Sequence, residues 1–166
     1  MENCGMVVDW IGEIAETAKT HDQRHRERER RKVQEAEAIA AHAQDFWESI
    51  VTTVERDLLR FQEAFPFDPD RSLKLEMTGP QAFQVIRTGC GVKLAVQAHA
   101  SCRAIEFRYN PVAGDQSGTL KCSGILDMRA DRNGDLYLSQ YGRDFLSFDD
   151  ISRMLLERIF RGVAIR

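Results

Sequence analysis

Residues 33–65, VQEAEAIAAHAQDFWESIVTTVERDLLRFQEAF, place an apolar side chain at every third or fourth position. The positions on this stripe are Val33, Ala36, Ala40, Ala43, Trp47, Ile50, Val54, Leu58, Phe61 and Phe65. Because an α-helix completes a turn in about 3.6 residues, this spacing aligns them along one side of a helix. Pro66 and Pro69 cannot continue a helix. The stretch therefore predicts a long amphipathic helix that ends near Phe65.

A shorter segment with the same spacing precedes this helix. Its apolar residues are Val7, Trp10, Ile11, Ile14, Ala15 and Ala18. In the stretch between the two segments, pairs such as Glu29 with Lys32 are compatible with a helix, but each adds only roughly a few tenths of a kcal/mol. We predict a helical region over residues 1–65, in which residues 19–32 are either helix or connector.

Beyond the two prolines, apolar residues recur at every second position, which is the spacing of a β-strand. The pattern begins at Leu73 and ends at Leu138. The turn sequences TGPQ, TGCG and DRNG separate its segments, and DRNG predicts a type I′ hairpin turn through Asn133 and Gly134. We predict an antiparallel meander of about six strands over residues 72–140, with one apolar and one polar face.

The last part of the chain carries start and stop signals for a helix. Ser147 is suited to the N-cap, and Asp150 stands at the capping-box position. Leu146 is placed to staple onto Ile151 across the start of the helix. Gly162 is suited to the position after the last turn. The segment therefore predicts an α-helix with defined ends.

The chain has 166 residues, of which 43% are hydrophobic and 30% are charged. This length and composition suit one domain over residues 1–166 with its own hydrophobic core. The predicted fold class is α+β. The long N-terminal helical region packs on one face of the roughly six-stranded antiparallel sheet, and a C-terminal helix over residues 147–162 closes the core.

The long helix exceeds the sheet that it covers. At 1.5 Å per residue, residues 33–65 form a helix of about 50 Å, whereas six strands spaced under 5 Å apart span roughly 25–30 Å. The end left over carries small residues, which let another helix approach closely. We expect a partner there, either residues 7–18 folded back or the same helix of a second subunit, and we favour a homodimer. The predicted helix–helix interface consists of Val33, Ala36, Ala40, Ala43, Trp10 and Ile14.

The segment QRHRERERRK, residues 23–32, is strongly basic. Residues 24–32 hold six basic and two acidic side chains, a net charge of +4, but acidic segments lie on both sides. The whole chain has a net charge of −3 and a pI of about 5.8. Affinity for nucleic acid comes largely from neutralising phosphates, which requires a net basic domain or face. The pattern favours a solvated helix face or connector and argues against nucleic acid as a partner.

The sequence contains no motif that indicates a metal, a cofactor or a catalytic centre. His21 and His25 are spaced like two ligands on a helix, but they lack a third and lie among arginines. The stretch DRNGD departs from a calcium-binding EF-hand loop where the required glycine and glutamate belong. The four cysteines lack the spacing of a zinc site and are expected to be reduced. They are Cys4, Cys90, Cys102 and Cys122.

No part of the sequence resembles a targeting or membrane segment. Its apolar runs are far shorter than the roughly 20 residues needed to span a bilayer. The start, MENCGMVVDWIGEIAE, lacks the basic residues of a secretory signal and contains Asp9 and Glu13. We therefore expect a cytoplasmic protein.

Three functions are compatible with these patterns. We favour a non-catalytic, self-associating protein-interaction module that uses its N-terminal helices. An alternative is a small-ligand-binding protein with a pocket between the curved sheet and the long helix, lined by Phe46, Phe83, Phe107 and Tyr109. A weaker alternative is an enzyme that uses the loop cysteine Cys90, which requires an adjacent base that the sequence does not show.

Overall fold

The computed structural model describes residues 10–99, 102–111 and 122–162, without the side chains of Cys90 and Pro111. Helix α1 spans Trp10–Ala64, and helix α2 spans Phe148–Arg161. The strands are β1 (Leu73–Gly79), β2 (Ala82–Arg87), β3 (Val92–His99), β4 (Ala104–Pro111), β5 (Cys122–Ala130), β6 (Leu136–Gln140) and β7 (Arg143–Phe145). Short 3-10 helices form at Pro69–Arg71 and Thr88–Cys90. The predicted α+β class is confirmed, with seven strands instead of six.

Helix α1 is one continuous helix of 55 residues. It includes the predicted helix of residues 33–65 as far as Ala64, and the shorter apolar segment before it. Residues 19–32, whose conformation the sequence left open, are helical as well. The alternative in which residues 7–18 fold back on the long helix is therefore wrong for the part that the structure describes, since residues 10–18 continue the same helix.

The continuity of α1 follows from its composition. Between Glu13 and Phe65 the sequence contains no glycine and no proline. Residues 19–32 are rich in arginine, lysine and glutamate, which are good helix formers. Lys32 donates a hydrogen bond to Glu29 at 2.8 Å, and this bond holds the pKa of the Glu29 carboxyl below its usual value. Nothing in this stretch interrupts a helix that the core anchors at its other end.

The seven strands form one antiparallel sheet in the order β1 to β7, so every strand pairs with its neighbours in sequence. This agrees with the predicted meander, and β7 is an additional strand of three residues. It follows a two-residue turn at Tyr141 and Gly142, whose φ angles are 50° and 80°. Left-handed backbone at both central positions is typical of a type I′ turn. Tyrosine does not signal this turn, because bulky residues seldom adopt a positive φ.

The loop between β5 and β6 differs from the predicted type I′ turn. Asn133 is not among the described residues with positive φ, and Gly134 adopts a φ of 87°. The side chain of Asp131 accepts hydrogen bonds from the backbone N–H groups of Asn133 and Asp135, at 2.7 and 3.0 Å. The aspartate therefore stabilises a longer loop, residues 131–135, in place of a two-residue turn.

The hydrophobic core lies between one face of the sheet and the two helices. Alternate strand residues point into it, for example Val92, Leu94 and Val96 of β3. Trp47 of α1 packs against Phe83 of β2 with ring centres 5.7 Å apart. Burying one large apolar side chain contributes roughly 1.5–3 kcal/mol, so this layer is the main source of stability. The buried apolar residues of α1 are Ile39, Ala43, Phe46, Trp47, Ile50, Val54 and Leu58.

Helix α2 begins and ends where its sequence predicts. The Ser147 hydroxyl accepts a hydrogen bond from the Asp150 N–H at 3.1 Å and donates one to the Asp150 carboxylate at 2.8 Å. Gly162 adopts a φ of 61° at the C-cap. Leu146 is exposed, so the predicted staple onto Ile151 does not form. Polar capping alone defines the start of this helix.

A buried arginine ties the end of α2 to the sheet. Arg87, the last residue of β2, is only 8% exposed. Its Nη1 donates to the carbonyl oxygens of Ile159 and Phe160, both at 2.8 Å, and its Nε donates to the carbonyl oxygen of Asp70 at 3.0 Å. Carbonyls at the end of a helix lack intrahelical partners and carry the negative end of the helix dipole. The arginine cation therefore stabilises the last turn of α2.

We predict that Arg87→Ala lowers the free energy of unfolding by about 3 kcal/mol, because hydrogen bonds to a charged group contribute roughly 1.5–3 kcal/mol and the carbonyls of Phe160 and Asp70 would lose this donor. Urea denaturation followed by circular dichroism measures the change.

Arg153→Ala is the matched control, since Arg153 lies on α2, is exposed, and forms no hydrogen bond or ion pair with other described residues. Its effect should stay within about 0.5 kcal/mol of wild type. An equally small effect of Arg87→Ala would contradict the role of Arg87.

Candidate functional site

The first part of helix α1, residues 10–34, extends beyond the sheet, and we refer to it as the arm. Every residue of the arm except Gly12 is exposed. The helix first contacts the sheet at Glu35, whose carboxylate forms an ion pair with Arg129 of β5 at 2.9 Å. At 1.5 Å per residue the arm is about 37 Å long. None of the helices in the described ranges is long and apolar enough to cross a membrane.

The outer end of the arm carries large apolar side chains that are bare. Trp10 and Ile11 are each 63% exposed, and Ile14 is 60% exposed. We call these three residues the distal cluster. A contiguous group of exposed apolar side chains on a protein surface marks an interaction site more often than single exposed residues do. The distal cluster is therefore the first candidate for a binding surface.

The distal cluster lies on the same side of α1 as the core stripe. Steps of three and four residues lead back from buried Ile39 through Ala18 to Ile14 and Trp10. Residues at these steps share one face of a helix. Residues 19–32 between them contain no apolar side chain. The same face of α1 is therefore apolar in two stretches. It is buried from Ile39 onward and exposed at the outer end of the arm.

A second apolar group lies where the arm meets the folded part of the chain. Val33 is 56% exposed, Ala40 is exposed and Ala36 is half-buried. We call these three residues the proximal cluster. The remaining small residue of the predicted interface, Ala43, is buried in the hydrophobic core of its own chain. Ala43 is therefore not accessible to a partner in this structure.

The basic segment, residues 24–32, lies between the two clusters and remains largely unpaired. Lys32 forms an ion pair with Glu29 at 2.8 Å. The arginines of the segment form no hydrogen bond or ion pair with any described residue, so their charge is presented to solvent. They are Arg24, Arg26, Arg28, Arg30 and Arg31.

The described residues do not form a metal centre. No group of three or more His, Cys, Asp or Glu side chains among them could hold a metal ion. His21 and His25 are both exposed on the arm. The carboxylate of Asp131 in the DRNGD loop accepts hydrogen bonds from backbone N–H groups of its own loop. The histidine pair is part of a solvated helix surface.

Among the described residues, Cys102 and Cys122 are free thiols. Cys102 is buried in the turn between β3 and β4, and this burial raises the pKa of its thiol. A raised pKa lowers the fraction of reactive thiolate at neutral pH. Cys4 and the side chain of Cys90, the predicted catalytic thiol, lie outside the described residues.

The four aromatic residues predicted to line a ligand pocket all belong to the hydrophobic core, and one of them also borders a cleft. Phe83, Phe107 and Tyr109 are buried among core residues. The Tyr109 hydroxyl donates a hydrogen bond to the Leu155 carbonyl of α2 at 2.7 Å, and burial raises the pKa of this phenol. Phe46 lines a cleft of about 480 Å³ beside the loop between β5 and β6. Only Phe46 of the four lines this cleft.

A groove between α1 and α2 is not indicated by any sequence motif. It has a volume of about 510 Å³, and Phe61, Leu156 and Phe160 give it an apolar lining. Arg60 and Arg153 also line it, and neither forms a hydrogen bond or ion pair with other described residues. The groove arises where two helices far apart in sequence lie side by side, so no local pattern could locate it.

Comparisons with models of protein families, with curated proteins and with solved structures found no match to this chain.

We predict that limiting trypsin, applied at nanomolar protein concentration, cleaves first within the basic segment. Its basic side chains are exposed, and a helix without packed neighbours opens more readily than one in a core. Mass spectrometry of the first fragments identifies the cut. A first cut inside α2, for example after Arg153 or Arg158, would contradict the exposure of the arm.

Proposed function

We propose that this protein is a non-catalytic, self-associating interaction module whose arm binds the arm of a second copy. The observation that supports the proposal is the distal cluster, in which three large apolar side chains are exposed to solvent at the outer end of a continuous helix. Removing apolar surface from water contributes roughly 25 cal/mol per Å². Pairing with a second helix is the simplest way to bury a narrow apolar stripe of this kind.

The chemistry of the arm favours a protein partner. Tryptophan is enriched among residues that dominate binding energy at protein interfaces, and Trp10 is the most distal residue that the structure describes. The small side chains of Ala36 and Ala40 would let a second helix approach closely. The chain has a net charge of −3, which favours a protein over nucleic acid. We place this module in the cytoplasm, and the free thiols of Cys102 and Cys122 support a reducing compartment.

We predict that the wild-type protein is a dimer at micromolar concentration and that Trp10→Ser combined with Ile14→Ser raises the dissociation constant at least about tenfold, since each lost apolar contact weakens association by roughly 1 kcal/mol or more. Sedimentation velocity over a concentration series measures the constant.

Phe67→Ser is the matched control for this pair of substitutions. Phe67 is an aromatic residue that is 96% exposed and lies after α1, away from the arm, so its removal should leave the dimer unchanged. A wild-type protein that sediments as a monomer throughout the micromolar range would remove the proposal.

A second candidate function is the binding of a small amphipathic anion, with an apolar chain or ring and a carboxylate, in the groove between α1 and α2. The groove volume of about 510 Å³ falls in the range of small-molecule sites, roughly 300–1,000 Å³. Its apolar lining suits a hydrocarbon chain or ring, and the unpaired guanidinium groups of Arg60 and Arg153 suit a carboxylate. This site differs from the predicted pocket between the sheet and the long helix.

We predict that decanoate raises the melting temperature of the wild-type protein and that Arg60→Ala combined with Arg153→Ala abolishes this rise, because a ligand that binds only the folded state stabilises it. Differential scanning fluorimetry measures both. The uncharged analogue 1-decanol is the control for the carboxylate. An equal effect of decanol, or no effect of decanoate, would count against an anion site.

A further inference from the structure

We infer that two copies of this chain pair their arms in antiparallel orientation, so that the distal cluster of each copy sits on the proximal cluster of the other. This geometry rests on the proposed self-association and specifies which surfaces meet. Three features of the described arm point to it: the separation of the two apolar clusters, the sign of the charge between them, and the difference in size of their side chains.

The two clusters occupy opposite ends of the arm. From Ile14 to Val33 the helix rises about 28 Å at 1.5 Å per residue. A second arm that runs in the opposite direction presents the clusters in reverse order. When residue 23 is level with its own copy, Trp10 is level with the partner's Ala36. One two-fold axis then covers both clusters of both chains in a closed, self-complementary contact.

The net charge of the basic segment disfavours a parallel pair. Residues 24–32 carry a net charge of +4, and a parallel pair in register places this segment beside the identical segment of the partner. An antiparallel pair centred at residue 23 places it beside residues 14–22, which contain two acidic residues and one basic residue. Like charges at short distance repel by roughly 1 kcal/mol per pair even in bulk water. The antiparallel arrangement removes this repulsion.

The same register places opposite charges level with each other along the arm. The pairs are Asp22 with the partner's Arg24, Lys19 with the partner's Glu27, and Glu16 with the partner's Arg30. In a parallel pair in register, by contrast, every charged residue of the arm is level with its own copy, which carries the same charge.

The side chains of the two clusters differ in size in a complementary way. The distal cluster is bulky, with one tryptophan and two isoleucines, whereas Ala36 and Ala40 of the proximal cluster are small. Large side chains pack best where the facing helix offers small ones. A parallel pair would oppose Trp10 to its own copy and alanine to alanine. The antiparallel pair fills the space beside the alanines with the bulky residues.

Photocrosslinking tests this geometry in the full chain. Ile14→p-benzoylphenylalanine keeps an apolar group in the distal cluster, and Ile11→p-benzoylphenylalanine is a second probe in case one position perturbs the dimer. After irradiation at micromolar concentration, the dimer band is isolated and mass spectrometry identifies the crosslinked peptides. Within one straight helix the probe cannot reach Val33, about 28 Å away, so a crosslink to the proximal cluster is intermolecular. The control is Phe67→p-benzoylphenylalanine, an exposed aromatic position outside the arm.

The expected result is a dimer band from either arm probe, crosslinked within residues 32–41, and no such band from the Phe67 control. A sedimenting dimer whose crosslinks fall within residues 10–18 would indicate parallel arms and overturn the antiparallel geometry, while leaving self-association intact. Crosslinks to the exposed side of residues 44–59 would overturn the register in the same way. A monomer in sedimentation would remove both the proposed function and this geometry.

Discussion

An α-helix can bury its apolar stripe only over the length that a neighbouring layer covers, and this constraint organises the molecule. Helix α1 has 55 residues and is about 82 Å long, whereas seven strands spaced about 4.8 Å apart span roughly 29 Å. The buried residues of α1 run from Ile39 to Leu58, where the sheet and α2 cover it. Before Ile39 the helix continues because no glycine or proline interrupts it as far back as Glu13. Apolar residues return to the same face at Trp10 and Ile14, where they are exposed to solvent.

The second helix is held by hydrogen bonds to its backbone as well as by packing. Tyr109 from β4 donates to the carbonyl of Leu155, and Arg87 from β2 donates to the carbonyls of Ile159 and Phe160. Because two strands bind carbonyls in successive turns, α2 cannot slide or rotate without leaving buried polar groups unpaired, which costs roughly 1–3 kcal/mol for each group. The position of α2 beside α1, and with it the groove between them, is thereby determined.

The arm combines apolar ends with a basic middle, and a partner must match both features. A phosphate backbone would neutralise the arginines but leave the distal cluster in water. In the proposed pair, a second arm in antiparallel orientation would bury the cluster and also place acidic residues near the basic segment. One partner chemistry therefore accounts for both surface features, which is why self-association is preferred to a polyanion partner.

Spacing within the sequence determined the local structure of this protein. It predicted the apolar stripe of α1, the alternation of the strands, and the caps at Ser147 and Gly162. All of these depend on backbone geometry over a few residues. Short-range signals failed where the chain departs from common turn residues, as before β7. Only the tertiary structure decided which part of one stripe is buried: Ala43 and Ile14 share the same helical spacing, yet the sheet covers the first and not the second. Arg87 likewise has no local signature, because its partners on α2 lie 72 and 73 residues away and meet it only once the sheet and helix have assembled.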